Sequence, residues 1–217
     1  MPHSRGLGSS ATAIVAGVAL ATALAGHDLD DAATLAFVND VASSIEGHPD
    51  NASASVYGSV TVSWADVLEG PDAPRDWHTA VLRPHPDVVP VVIVPAQRLS
   101  TATARAALPE SVPLAVAARN SGRAALLAHA ITTEPSLLMP ATLDALHQEQ
   151  RRSAYPDSMA LVDALRDAGV PAVISGAGPT VLALASRFAL RAVHDVARGG
   201  EVLELSVPTR GITPMSR

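Results

Sequence analysis

Gly6-Leu7-Gly8-Ser9-Ser10 opens a stretch in which residues 10 to 25 contain no helix breaker except Gly17, and the stretch stops at Gly26, where a C-cap glycine is expected. A run this apolar folds as a buried helix. The two loop glycines free the backbone to turn its amides toward one point, and Ser9 and Ser10 stand where a helix offers unpaired N–H groups and the positive end of its dipole. Such a nest suits a phosphate, although an ordinary capped turn would carry the same residues. The same region also has the outline of a secretory signal: Met1 to Arg5 is short and basic, Ala11 to Ala25 is apolar, and Ala23-Leu24-Ala25 resembles a peptidase site. A glycine loop opening a buried helix accounts for these residues more fully, and a run of about fifteen residues is short for a membrane span.

Composition narrows the chemistry. Of the 217 residues 48% are hydrophobic but only 3% aromatic, so the core is built from Ala, Val and Leu, which suits tightly packed helices on a sheet. The net charge of −6 offers no basic field, so neither nucleic acid nor a membrane surface is expected as a partner. All 15 basic residues are Arg, so an anionic substrate must be held by guanidinium groups, backbone amides or a metal ion, and a Walker-type loop is excluded. The absence of Cys removes disulfides, thiolate metal sites and Cys nucleophiles, and fits a cytoplasmic location.

Along the chain, a second helix is predicted from about Asp30 to Ile45, with Asp30 or Asp31 near its N-cap, ending at Gly47. Glu46-Gly47-His48-Pro49-Asp50-Asn51 reads as a polar turn into a short helix, and Gly58 to Trp64 alternates like a strand. Ala65 to Asp87 is rich in Pro, Asp and Arg, which places a boundary near residues 75 to 85 and suggests domains over 1–82 and 83–217. Val88 to Val94 reads as a buried strand, and Pro109 and Pro113 punctuate a mainly helical stretch to about Ile131. A helix from about Asp157 to Ala168, a strand at Val170 to Ile174, a glycine turn at Ser175-Gly176-Ala177-Gly178-Pro179-Thr180, a strand at Val181 to Ala185, a helix at Leu190 to Arg198 and a strand at Val202 to Val207 complete the pattern.

Pro2-His3-Ser4-Arg5-Gly6-Leu7-Gly8-Ser9-Ser10-Ala11 resembles the P-x-x-x-G-L-G-S-S-A phosphate loop of GHMP kinases. Within that superfamily, Glu46 to Asn51, Ser100-Thr101-Ala102-Thr103-Ala104-Arg105 with Leu108-Pro109, and Asp144-Ala145-Leu146-His147-Gln148 followed by Arg151 are similar to homoserine kinase segments, and Ser175 to Thr180 resembles the C-terminal glycine motif. The resemblance implies an α+β, two-domain GHMP kinase fold with a ferredoxin-like C-terminal domain. Because such kinases begin with a strand-rich segment before the loop, it also implies that the N-terminal strands are missing here.

By the same resemblance the loop amides cradle the phosphates of ATP. Ser10, rather than Ser9, helps bind Mg²⁺ together with Asp40, where the family commonly has Glu. His48, Asp50 and Asn51 lie beside bound L-homoserine, and Arg105 and Arg151 grip its carboxylate. Arg152 beside Arg151 leaves a one-residue ambiguity, and His147 reads as structural. Each residue also has a plainer role open to it: Asp40 as a solvated acid, His48 as a turn residue, Asp50-Asn51 as a helix cap, the arginines as surface charges. Asn51 occupies the position of a proposed catalytic Asp in mevalonate kinases and cannot usefully accept a proton. The implied reaction is therefore direct transfer of the γ-phosphoryl group of ATP to L-homoserine, with catalysis by positioning and charge stabilisation. An inactive fragment, a kinase of another small hydroxylated metabolite, and a homodimeric assembly are the remaining expectations to test.

Overall fold

The computed structural model describes residues 5–67, 75–95, 107–197 and 200–213. It divides into two compact units, one formed by 8–83 with 207–217, the other by 1–7 with 84–206.

The first unit packs three helices, α1 (Ser9–Leu24), α2 (Ala32–Glu46) and α3 (Asp50–Tyr57), with a hairpin of β1 (Val60–Val67) and β2 (Arg75–Leu82). Its core is Val15, Ala19, Val38, Ala42, Ala52 and Val56, side chains small enough to let the helices approach closely. Asp31 is the N-cap of α2: its carboxylate accepts from the Thr34 backbone N–H at 2.9 Å and from the Thr34 hydroxyl at 3.1 Å. Those two bonds, the backbone one first, hold the Asp31 carboxyl below its usual range. Gly47 closes the helix with φ of 83°, a conformation open to glycine at no steric cost.

A chain of side-chain hydrogen bonds ties the helices to the hairpin. Ser53 donates to Asn39 Oδ1 at 2.9 Å, and Thr79 lies 2.9 Å from Ser53 and 3.0 Å from Ser63. Because the single Ser53 proton goes to Asn39, Thr79 must donate to Ser53 and Ser63 to Thr79. The C-terminal stretch is fastened by the Ser59 N–H to Pro208 O at 2.7 Å and the Ile212 N–H to Val56 O at 3.1 Å.

β2 is a strand the sequence pattern did not reveal. Residues 75–82 pair antiparallel with β1, Val60 opposite Leu82 and Trp64 opposite His78. The Asp and Arg of Arg75-Asp76 and the preceding Pro-Asp-Ala-Pro composition masked a short alternation, Trp77, Thr79, Val81, whose polar Thr79 belongs to the buried network.

The second unit runs β3 (Val89–Val94), α4 (Leu114–Thr132), a 3-10 turn (Pro135–Leu137) leading into α5 (Leu138–Ala141), a 3-10 turn (Glu149–Ala154), α6 (Pro156–Asp167), β4 (Ala172–Ile174), β5 (Val181–Ala185), α7 (Leu190–Val196) and β6 (Glu201–Glu204). The strands lie in the order β4-β5-β3-β6 and every neighbouring pair is antiparallel. That is the split β-α-β order of a ferredoxin-like sheet, as expected. Alternate residues of β5 serve opposite faces. Val181, Ala183 and Ala185 join Val162 and Leu165 of α6 and Val193 of α7, whereas Leu182 and Leu184 join Ala130, Leu126 and Leu127 of α4. Among the described residues no helix is long and apolar enough to cross a membrane.

Candidate functional site

In the first unit α1 begins from Gly8, its N-cap, at φ 70° and with no side-chain cap over the first-turn amides. A Cβ at Gly8 would stand 2.9 Å from Asn51 Oδ1 and 3.3 Å from Asn51 Cγ, so the Asn51 carboxamide lies directly against the loop. Asn51 is set there by its own helix start: its backbone N–H donates to Asp50 Oδ1 at 2.8 Å, and its carbonyl accepts from Ser55 Oγ at 2.9 Å. His48 Nδ1 lies 2.6 Å from the same Asp50 oxygen, so one carboxylate organises His48 and Asn51 together.

Asp40, on α2, is partly buried, and its Oδ1 is sealed from solvent without a hydrogen-bond partner; the Oγ of Ser43, one turn along, is in the same state. A carboxylate oxygen left in that condition is stabilised by a cation or a water, and a hard divalent ion suits it. Ser10 Oγ donates to Glu46 Oε2 at 3.1 Å. Glu46 was not among the candidates. Its signal was its place in the Glu46-Gly47-His48 turn, but its approach to a hydroxyl 36 residues away depends on how α1 and α2 pack.

In the second unit the C-terminal glycine turn wraps the backbone that leads into the loop. Ser175 Oγ donates to Gly6 O at 2.7 Å and the Thr180 N–H to Arg5 O at 3.3 Å, and the Arg5 guanidinium bonds Pro95 O. Gly6, at φ 74°, has no room for a Cβ, which would lie 2.1 Å from Ser175 O. Gly178 is similarly confined by the Tyr155 ring at 2.9 Å. Two motifs that are remote in sequence are thus packed backbone to backbone.

The same unit holds a cavity of about 200 Å³ lined in part by Arg151, Arg123, Asp144, His147, Gln148 and Tyr155. Arg151 is buried, whereas Arg152 faces outward and is bound by Glu149 at 2.9 Å and Asp163 at 2.7 Å. The two carboxylates raise the Arg152 pKa, Asp163 first, and Arg152 lowers that of Asp163. The turn that presents Arg151 is held by side chains: Asn120 Oδ1 takes the Ala145 N–H at 2.9 Å, and Asp144 takes those of Leu146, His147 and Gln148 at 2.8, 3.2 and 3.1 Å. Gln148 Oε1 in turn accepts the Ile174 N–H of β4 at 2.9 Å. Tyr155 is buried; burial pushes its phenol up, against the opposing Arg151 charge. Leu7, Ser9 and Ala11 take their places in the loop and the first turn of α1, Ala11 fully buried. Pro2, His3, Ser4 and Arg105 lie outside the described residues.

Residues 1–59 match the GHMP kinases N terminal domain and residues 115–199 match GHMP kinases C terminal. The chain belongs to the GHMP kinases. Among proteins of this family it is 50% identical over 154 residues to a homoserine kinase of Streptomyces avermitilis, an alignment covering 70% of this chain and 47% of that protein. It is 49% identical over 156 residues to a homoserine kinase of Rhodococcus opacus, covering 70% and 50%. The chain thus spans about half the length of the curated relatives it matches. A crystal structure of homoserine kinase from Cytophaga hutchinsonii superposes with a TM-score of 0.79 at 26% identity, covering 97% of this chain and 69% of that one. A mevalonate diphosphate decarboxylase from Staphylococcus aureus, at 18% identity and a TM-score of 0.55, covering 94% of this chain and 66% of that one, shares the fold.

Proposed function

We propose that the chain carries the catalytic centre of a homoserine kinase, transferring the γ-phosphoryl group of ATP to the hydroxyl of L-homoserine to give O-phospho-L-homoserine. The observation that carries this reading is the contact of Asn51 with Gly8: the motif read as substrate-binding lies against the glycine that caps an open helix N-terminus. Anions are favoured at that end of a helix, and Gly8 lets the backbone come close to them.

Each residue then has a task. The loop amides hold the ATP phosphates, and Asn51 orients the substrate hydroxyl without taking its proton. Ser10 and Asp40 would hold Mg²⁺, for which the partnerless Asp40 oxygen is suited. When bound, Mg²⁺ supplies charge neutralisation at the transferring group. Asp50 faces the substrate ammonium, and Arg151 and Arg105 its carboxylate, a division that follows the demand of a zwitterion for both signs of charge. Because Asn51 cannot usefully take the proton, the rate comes from alignment and charge stabilisation. The absence of Cys and the net charge of −6 are in keeping with action in the cytoplasm, without a nucleic-acid or membrane partner.

The test is incubation with MgATP and a panel of alcohols, followed by ³¹P NMR. A new phosphomonoester signal with L-homoserine, and none with mevalonate or galactose, is the expected result. Equal or better use of mevalonate or galactose would overturn the substrate assignment.

A further inference from the structure

The cavity beside Arg151 contains a second guanidinium that no part of the reading above employs. Arg123 of α4 lines it, and among the described residues Arg123 has neither a hydrogen bond nor an ion pair. Its position is fixed nonetheless. Asn120, one turn earlier on the same face of α4, is anchored to the Ala145 N–H, so the helix face that carries Arg123 is held against the turn that carries Arg151.

The surroundings leave this positive charge unanswered. Asp144 is the carboxylate lining the cavity, and both its oxygens already accept backbone N–H groups. Arg166 adds a third guanidinium close by, donating to Thr142 Oγ1, Ala172 O and Met139 O. Burial chiefly, opposed by Asp163 and reinforced by the Arg123 charge, holds its pKa below the ordinary arginine range. Tyr155, 1% exposed, places its phenol at the same cavity beside the Arg151 guanidinium. Two guanidiniums that line one cavity beside a buried phenol describe a seat for an anion. The remaining wall is partly apolar, with Leu127, Ala141 and Leu143, which suits a small organic acid with an aliphatic stem.

We infer that Arg123 is a specificity-determining residue, joining Arg151 to bind the α-carboxylate of the amino-acid substrate in this cavity. Planar guanidiniums can engage both oxygens of a carboxylate, and removing Arg123 takes away part of that grip. The inference rests on the homoserine kinase reading and is tested apart from turnover.

Equilibrium binding to the full chain is measured for L-homoserine and for 3-aminopropan-1-ol, which is homoserine without its carboxylate. Arg123→Gln is expected to weaken L-homoserine about 10- to 100-fold, to leave 3-aminopropan-1-ol unchanged, and to leave the melting temperature in place. Arg123→Lys should recover part of the loss. Unaltered L-homoserine affinity in Arg123→Gln overturns the inference while the kinase reading stands. Equal loss of both ligands also overturns it, since that marks a structural role. A wild-type chain without affinity for L-homoserine overturns the kinase reading and this inference with it.

Discussion

Gly8 joins two demands that no other residue meets, a φ of 70° and a neighbouring carboxamide 2.9 Å from where a side chain would begin. Gly8→Val should therefore push Asn51 aside and tilt the first-turn amides, lowering turnover by at least about 100-fold, the scale on which a misplacement of about 1 Å acts. Steady-state kinetics with ATP and L-homoserine check this. The paired arginines offer a sharper contrast. Arg151 is buried in the cavity wall, so Arg151→Ala should raise KM for L-homoserine about 10- to 100-fold. Arg152 sits among exposed carboxylates, so Arg152→Ala should leave KM unchanged and shift stability by less than about 1 kcal/mol. The reverse ranking would move the carboxylate contact to Arg152.

At the scale of elements, two polar devices hold the parts that matter. Asp144 takes three successive backbone N–H groups of the turn before Arg151. Asp144→Ala should release them at a loss of about 1–3 kcal/mol, seen as faster hydrogen exchange at residues 146–148 together with a higher KM for L-homoserine. Ser53→Ala should cost a similar amount, because the buried Asn39 Oδ1 loses its donor; chemical denaturation measures it. Much of this architecture was readable from residue order. β5 was legible as Val181 to Ala185 because it is a short apolar run between a glycine turn and a polar loop, and α2 because Asp31 and Gly47 mark its ends. β2 was not, because its signal is three alternating residues beside Asp and Arg, and what makes it a strand is pairing with β1. The site divided in the same way. Asn51 and Arg151 were candidates by motif, whereas the Ser10–Glu46 contact and the place of Arg123 at the cavity depend on the face their helices present, a matter of packing that spacing does not encode.

For the whole molecule, each unit draws on both ends of the chain: residues 207–213 complete the first, and Arg5 and Gly6 lie against the glycine turn of the second. Stability should fall at both pH extremes. Asp31 and Asp163 are held below their usual 3.8, so the unfolded chain binds protons first and stability declines as pH drops below about 4. Burial raises Tyr57 and Tyr155 above their usual 10.0, so the folded chain keeps protons that the unfolded chain releases, and stability declines again above pH 10. Thermal melts across pH test both slopes, and Asp31→Ala should flatten the acid one. The central claim is a phosphate loop that serves an amino-acid hydroxyl. Its most direct test is homoserine-dependent ADP release from MgATP by the wild-type chain and by Gly8→Val. The account predicts release that requires L-homoserine and falls at least about 100-fold in the variant; full release by Gly8→Val, or release indifferent to L-homoserine, would contradict it.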